Sequence, residues 1–139
     1  VCAGGGGVPV LEDERGRHRG VEAVIDKDLA SSLLARDLGV DLLVLATDVD
    51  AVYERFGTPG QRAIARVSPE ELRAREFPAG SMGPKVEAVC RFVEATGKRA
   101  AIGSLEQITG LLDGTAGTQV DPQADGLVYA DEAGGARDG

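Results

Sequence analysis

The sequence contains no tryptophan, one methionine, one histidine, two cysteines and three lysines. Each scarcity closes off a class of chemistry. Cys2 and Cys90 form no CxxC pair and His18 has no histidine partner, so neither a zinc site nor a disulfide framework is supported, and no metal-ligating residues are assigned. Cys90 is read as a core residue. No apolar run approaches the roughly 20 residues needed to cross a bilayer, and the opening "VCAGGGGVPV" has neither a basic n-region nor a long apolar h-region. The expectation is a cytoplasmic protein with no membrane role. A formal net charge of −8 leaves no excess of Lys and Arg for a nucleic-acid surface. A small polyanion is a different case, because a nucleotide needs only a few local cations and a set of backbone N–H groups.

What is present suits one globular domain. The chain has 139 residues, 42% of them hydrophobic and 27% charged, enough for a core and too short for two domains. The first residue is Val, which leaves open processing, an artificial start, or a start partway through a longer protein. "VCAGGGGVPVLEDERGRHRG" reads as a strand end, a glycine loop, a second apolar piece and an exposed charged excursion. "VEAVIDKD" is a short β-like run, and Leu29, Leu33, Leu34 and Leu38 follow at helical spacing up to Gly39. The unbroken apolar run Leu42 to Ala46 predicts a strand covered on both faces. "SPEELRAREF" carries a capping box, with Ser68 at N-cap, Pro69 at N1 and Glu71 at N3. Val86, Val89, Cys90 and Val93 recur at i, i+3, i+4 and i+7, so a helix begins near Gly83, with Pro84 suited to its first position, and ends at Thr96-Gly97. A strand (Arg99 to Ile102), a helix (Leu105 to Leu112) and a last short strand complete residues 1–120. The alternation implies a layered αβα sandwich with a mostly parallel sheet. Residues 121–139 are acidic, Gly-rich and nearly without apolar periodicity, and are expected to be a disordered tail.

The lysines stand out against this frame. Twelve of the fifteen basic residues are Arg, yet Lys27 and Lys85 fall in Asp-, Gly- or Pro-marked segments. Lys85 enters its helix at the N-terminal end, which the unpaired N–H groups make partly positive, a mismatch of about 0.3–1 kcal/mol when exposed. An anion at "GSMGPK" would suit both the helix end and Lys85; a surface Lys that bends away is the plain alternative. In "IDKDLAS", Asp26 or Asp28 serves as an ordinary N-cap, or Asp28 organises cations around a phosphoryl group while Lys27 neutralises its charge. "TDVDAVY" places Thr47, Asp48 and Asp50 at the carboxyl end of a buried strand, where open α/β sheets hold ligands, although a plain loop would read the same. Gly4, Gly5, Gly6 and Gly7 could offer N–H groups to phosphates or form a flexible turn; they match neither GxxxxGK[ST] nor GxGxxG.

Together "AGGGGVPV", "EAVIDKDLAS", "LATDVDAVY", "FPAGSMGPKVEAV" and "GTAGTQV" resemble carbamate kinase, within the amino acid kinase superfamily, over nearly all of residues 1–120. The resemblance is to the C-terminal, nucleotide-binding half, and a start at Val fits a fragment lacking the N-terminal half. It implies phosphate transfer between ATP and carbamate, giving ADP and carbamoyl phosphate. Mg²⁺ is carried by the substrate phosphates, flux is ATP-forming in arginine catabolism, and the full-length protein is a homodimer. Carried over by motif, Lys27, Asp28 and Lys85 are catalytic, and Gly4, Gly5, Gly6, Gly7, Thr47, Asp48, Val49, Tyr53, Ser81, Met82 and Gly83 bind nucleotide. The alternatives are a non-catalytic nucleotide-binding module and an inactive truncated product of the same fold.

Overall fold

The computed structural model describes residues 1–133. Helix α1 (Lys27–Asp37) starts at Asp26, whose carboxylate accepts the N–H groups of Asp28 and Leu29 at 2.9 and 2.8 Å. That is ordinary Asp capping, and it leaves the Asp28 side chain free for other work. Helix α2 (Pro69–Arg73) starts as its capping box requires, Ser68 Oγ accepting from Glu71 N at 3.2 Å. Helix α3 (Met82–Thr96) buries Val86, Val89, Cys90, Phe92 and Val93. It begins one residue before Gly83, so Pro84 takes the third helical position rather than the first; Gly83 N is turned back onto Pro78 O at 2.9 Å. The last helices are α4 (Ile108–Asp113), entered through a one-turn 3₁₀ segment at Leu105–Gln107, and α5 (Ala130–Ala133).

The strands are β1 (Val10–Glu12), β2 (His18–Gly20), β3 (Leu42–Thr47), β4 (Val52–Glu54), β5 (Arg62–Val67), β6 (Arg99–Ser104), β7 (Thr118–Val120) and β8 (Leu127–Tyr129). β1 and β2 form a separate antiparallel hairpin, with Val10 opposite Gly20 and Glu12 opposite His18. This is the charged excursion. The main sheet runs β3-β6-β7-β5-β4, with β8 also on β5. Ile64 is paired with both Val52 and Tyr129, so β5 lies between β4 and β8. β4 and β7 meet along the same edge of β5, joined by Thr118, whose buried hydroxyl accepts from Val52 N at 2.8 Å and donates to Ile64 O at 2.6 Å.

The α/β class is as expected, and the sheet differs in detail. β3–β6 and β5–β7 are parallel, whereas β6–β7, β4–β5 and β5–β8 are antiparallel, so the sheet is mixed rather than mostly parallel. Ala100 and Ile102 point into the core with α3, while Gly103 faces Leu111 of α4 on the other side of the sheet. Glycine is needed there because a Cβ on Gly103 would stand 2.7 Å from Leu111 and 2.9 Å from Asp50 O. Helices therefore flank both faces. β3 buries only Leu43 and Leu45; Val44 is half-buried and Ala46 exposed, because β3 is an edge strand and α4 covers its second face incompletely. Leu34, Leu38, Leu105, Ile108 and Leu112 are exposed around it.

Two further expectations change. "VEAVID" is not a strand: Val24 is exposed and the segment runs irregularly into the cap of α1. Residues 121–133 are not a featureless tail, since β8 pairs with β5 and α5 follows it. The pairing supplies from a distance what local periodicity does not. Residues 134–139, the rest of the expected tail, lie outside the described residues.

Candidate active site

The amino ends of α1 and α3 and the carboxyl end of β3 open onto one cleft of about 510 Å³. Among its lining residues are Lys27, Asp28, Thr47, Asp48, Val49, Tyr53, Ser81, Met82 and Lys85, all of them singled out in the sequence. On the floor, Lys85 Nζ donates to Asp28 Oδ2 at 2.9 Å. The side chains are 13% and 12% exposed, so this is a nearly buried ion pair joining the first turns of two helices. Asp28 can make it because Asp26, not Asp28, caps α1. An ammonium has three N–H donors, and Asp28 takes one of them.

Ser81, at the N-cap of α3, has φ −140° and ψ −81° and makes no capping hydrogen bond with its side chain. The positive end of α3 and the Lys85 ammonium thus share the cleft, and Asp28 is the carboxylate set against them. A neighbouring anion would be favoured by the helix end and by the donors of Lys85 that Asp28 leaves over. Thr47 Oγ1 donates to Asp48 Oδ1 at 3.0 Å at the end of β3. Tyr53 donates its hydroxyl to Asp50 at 2.7 Å; that bond, with burial and the aspartate's charge, raises the Tyr53 pKa above its ordinary value.

The aromatic part of the cleft was only partly foreseen. Tyr53 and Phe56 stand 5.8 Å apart between ring centroids, tilted by 54°, and Phe77 and Pro78 also line the space. Three of the five aromatic residues in the chain are gathered here, whereas Phe92 is in the core. Scarcity was the available signal: aromatic residues spent on Gly- and Pro-marked loops are not being used to fill a core. Such rings suit the flat face of a nucleobase, since stacking needs no particular base identity.

Other expected residues lie elsewhere. Gly5, Gly6 and Gly7 are not among the residues lining the cleft, and Gly4 lines a neighbouring groove beside Lys27 and Asp28. Gly6 has a packing reason: a Cβ there would sit 2.4 Å from Ile25 O, so the glycine lets two backbone segments approach. Gly83 faces a different groove, with Arg73 and Val86. Among the described residues no group of three His, Cys, Asp or Glu gathers as a metal site, and no helix is long and apolar enough to cross a membrane.

A mixed α/β sheet whose two helix starts bring Lys27 and Lys85 into one cleft defines an α/β protein with a cation-bearing site. Residues 1–104 match the amino acid kinase family, and the chain belongs to that family. Within it the similarity is to carbamate kinases. The chain is 57% identical to the carbamate kinase of Rhizobium meliloti over 121 residues, covering 85% of this chain and 37% of that protein. It is 50% identical to that of Haemophilus influenzae over 129 residues, covering 93% and 42%. The solved carbamate kinase of Giardia lamblia bound to AMP-PNP superposes with a TM-score of 0.79 at 41% identity, covering 84% of this chain and 42% of that one. The chain spans about two fifths of the length of these relatives.

Proposed function

We propose that the chain forms the nucleotide-binding part of a carbamate kinase-type phosphotransferase, which interconverts ATP and carbamate with ADP and carbamoyl phosphate. The observation that carries this reading is the Lys85–Asp28 pair, held at 2.9 Å where α1 and α3 begin. Identity of 57% and 50% to carbamate kinases, and an AMP-PNP complex among the similar structures, support the choice of reaction and nucleotide.

The chemistry follows from the residues. Phosphoryl transfer spreads negative charge over the travelling group, and a protein accelerates it mainly by positioning and charge stabilisation. Asp28 fixes the Lys85 ammonium, and the donors it leaves over, with the start of α3, hold the phosphates. Lys27, at the first position of α1, adds a second cation to the same cleft. No general base is required, because carbamate is already an anion. Thr47, Asp48 and Val49 border the nucleotide, with Tyr53, Phe56 and Phe77 against its base. Mg²⁺ would enter on the substrate phosphates without a cage of protein carboxylates. On the same reading the flux is ATP-forming in arginine catabolism, the setting is cytoplasmic, and the complete assembly is a homodimer; the family resemblance supports these.

Calorimetric titration of the chain with ADP, followed by luciferase detection of ATP after carbamoyl phosphate is added, tests the reading. ADP binding that weakens about tenfold or more in Lys85→Ala, equivalent to roughly 1.4 kcal/mol, is expected. ADP binding without ATP formation favours the second reading, a non-catalytic nucleotide-binding module. A chain that binds no ADP refutes both.

A further inference from the structure

One carboxylate outside the cleft ties two stretches of its lining together. Glu54, the last residue of β4, follows Tyr53 directly. Its Oε1 accepts from Arg75 Nε, and its Oε2 accepts the Tyr129 hydroxyl at 2.8 Å. Arg75 also donates to the backbone and, at 2.9 Å, to the carboxylate of Glu71, and it stands two residues before Phe77. Tyr129 is held in turn from above: the guanidinium carbon of Arg62 is 3.5 Å from its ring centroid, and Arg62 Nη2 reaches Asp131 and Glu132 at 2.8 Å each. Isolated surface ion pairs contribute little. This one is different in that Glu54 and Arg75 are only 21% and 25% exposed, and each has several partners at once.

We propose that the segment Leu127–Ala133 is a brace for the cleft, with Glu54, Arg75 and Tyr129 acting as positioning residues that set where the 52–56 and 74–81 stretches stand. The residues of the brace touch no reacting group. They act through Tyr53, which Glu54 adjoins on β4, and through Phe77 and Pro78, which Arg75 anchors. The consequence for ligand binding rests on the nucleotide reading above; the mechanical link does not.

Tyr129→Phe removes one hydroxyl and leaves the ring under Arg62. The test measures amide hydrogen exchange in 52–56 and 74–81 together with ADP affinity, using Arg17→Ala on the β1–β2 hairpin as a control. Exchange in both stretches is expected to rise about tenfold or more, and ADP affinity to fall by a similar factor, the size of one hydrogen bond to a charged acceptor, with α3 unchanged. Glu54→Gln, which keeps an acceptor for Tyr129 and loses the charge facing Arg75, should affect 74–81 more than Tyr129→Phe does. Unaltered exchange at 74–81 in Tyr129→Phe would overturn the brace. Faster exchange with unchanged ADP affinity would overturn its role in binding. Faster exchange in a chain that binds no ADP at all supports the brace and refutes instead the nucleotide reading.

Discussion

Replacing Lys85 by Met, Asp28 by Asn, and both together measures what the floor of the cleft is worth. Each single change strands a charge that is nearly buried: Asp28 is 12% and Lys85 13% exposed, and they meet at 2.9 Å. Removing one partner of a fully buried pair costs about 3–5 kcal/mol, because the survivor is left desolvated and uncompensated. The cleft opens to water, so about 2–3 kcal/mol is the appropriate figure for each single variant. At about 3 °C per kcal/mol for a chain of this size, each should melt about 6–9 °C below the parent by far-UV circular dichroism at pH 7. The double variant carries no stranded charge and two side chains of nearly unchanged shape. Its loss should therefore be smaller than the sum of the single losses, with a coupling energy of about 1–3 kcal/mol. Single variants that melt within about 1 °C of the parent, or losses that simply add, would show that the pair is not formed as described.

Two further outcomes follow from titrating groups. Burial pushes the Cys90 thiol up to about 11, whereas Cys2 is exposed, so a thiol reagent at pH 8 should modify one cysteine rapidly and the second only on unfolding in urea. Two fast thiols would mean that α3 does not cover Cys90. Burial raises the Glu54 pKa, but hydrogen bonds from Tyr129 and Arg75 outweigh it and hold the carboxyl below its ordinary value. A depressed folded pKa contributes stability above the unfolded pKa, and that contribution is lost as pH falls through the folded one. Urea unfolding at micromolar protein should thus show stability declining below about pH 4.5, the ordinary glutamate value, and Glu54→Gln should make the decline shallower. An unchanged slope would remove Glu54 from the account.

Much of the helical frame was legible in the sequence, because its signals are local. The i, i+3, i+4 stripe of α3, the capping box of α2 and the Asp-rich start of α1 each depend on residues within one or two turns. Strand β5 was not legible. A register shift between Ile64 and Arg66 turns both Ile64 and Val67 inward, three residues apart, which breaks the period of two by which a strand is recognised. β8 has three residues in an acidic stretch and owes its place to β5, Arg62 and Glu54, whose paired residues stand 60 or more positions earlier. Strand direction was also out of reach, since alternation marks a strand without saying which way it runs; hence the expectation of a mostly parallel sheet. At the site, the charged residues at helix starts and strand ends came from the sequence, whereas Gly5, Gly6 and Gly7 did not join them. A glycine run reports freedom of the backbone, and Gly6 uses it to pass Ile25 rather than to meet a ligand.

The bare side of β3 has a consequence for handling the polypeptide. Among the described residues, Leu42–Thr47 offers a row of strand N–H and C=O groups with no strand neighbour on one side, bordered by exposed leucines from α1 and α4. Such an edge is a template on which another extended chain can register. Mutual repulsion between molecules of net charge −8 opposes that, and it fades as the pH nears the isoelectric point of about 4.6. Colloidal behaviour and fold therefore meet in one strand: the same apolar run that carries Thr47 and Asp48 to the cleft makes the isolated chain a seed for sheet-like association in weak acid.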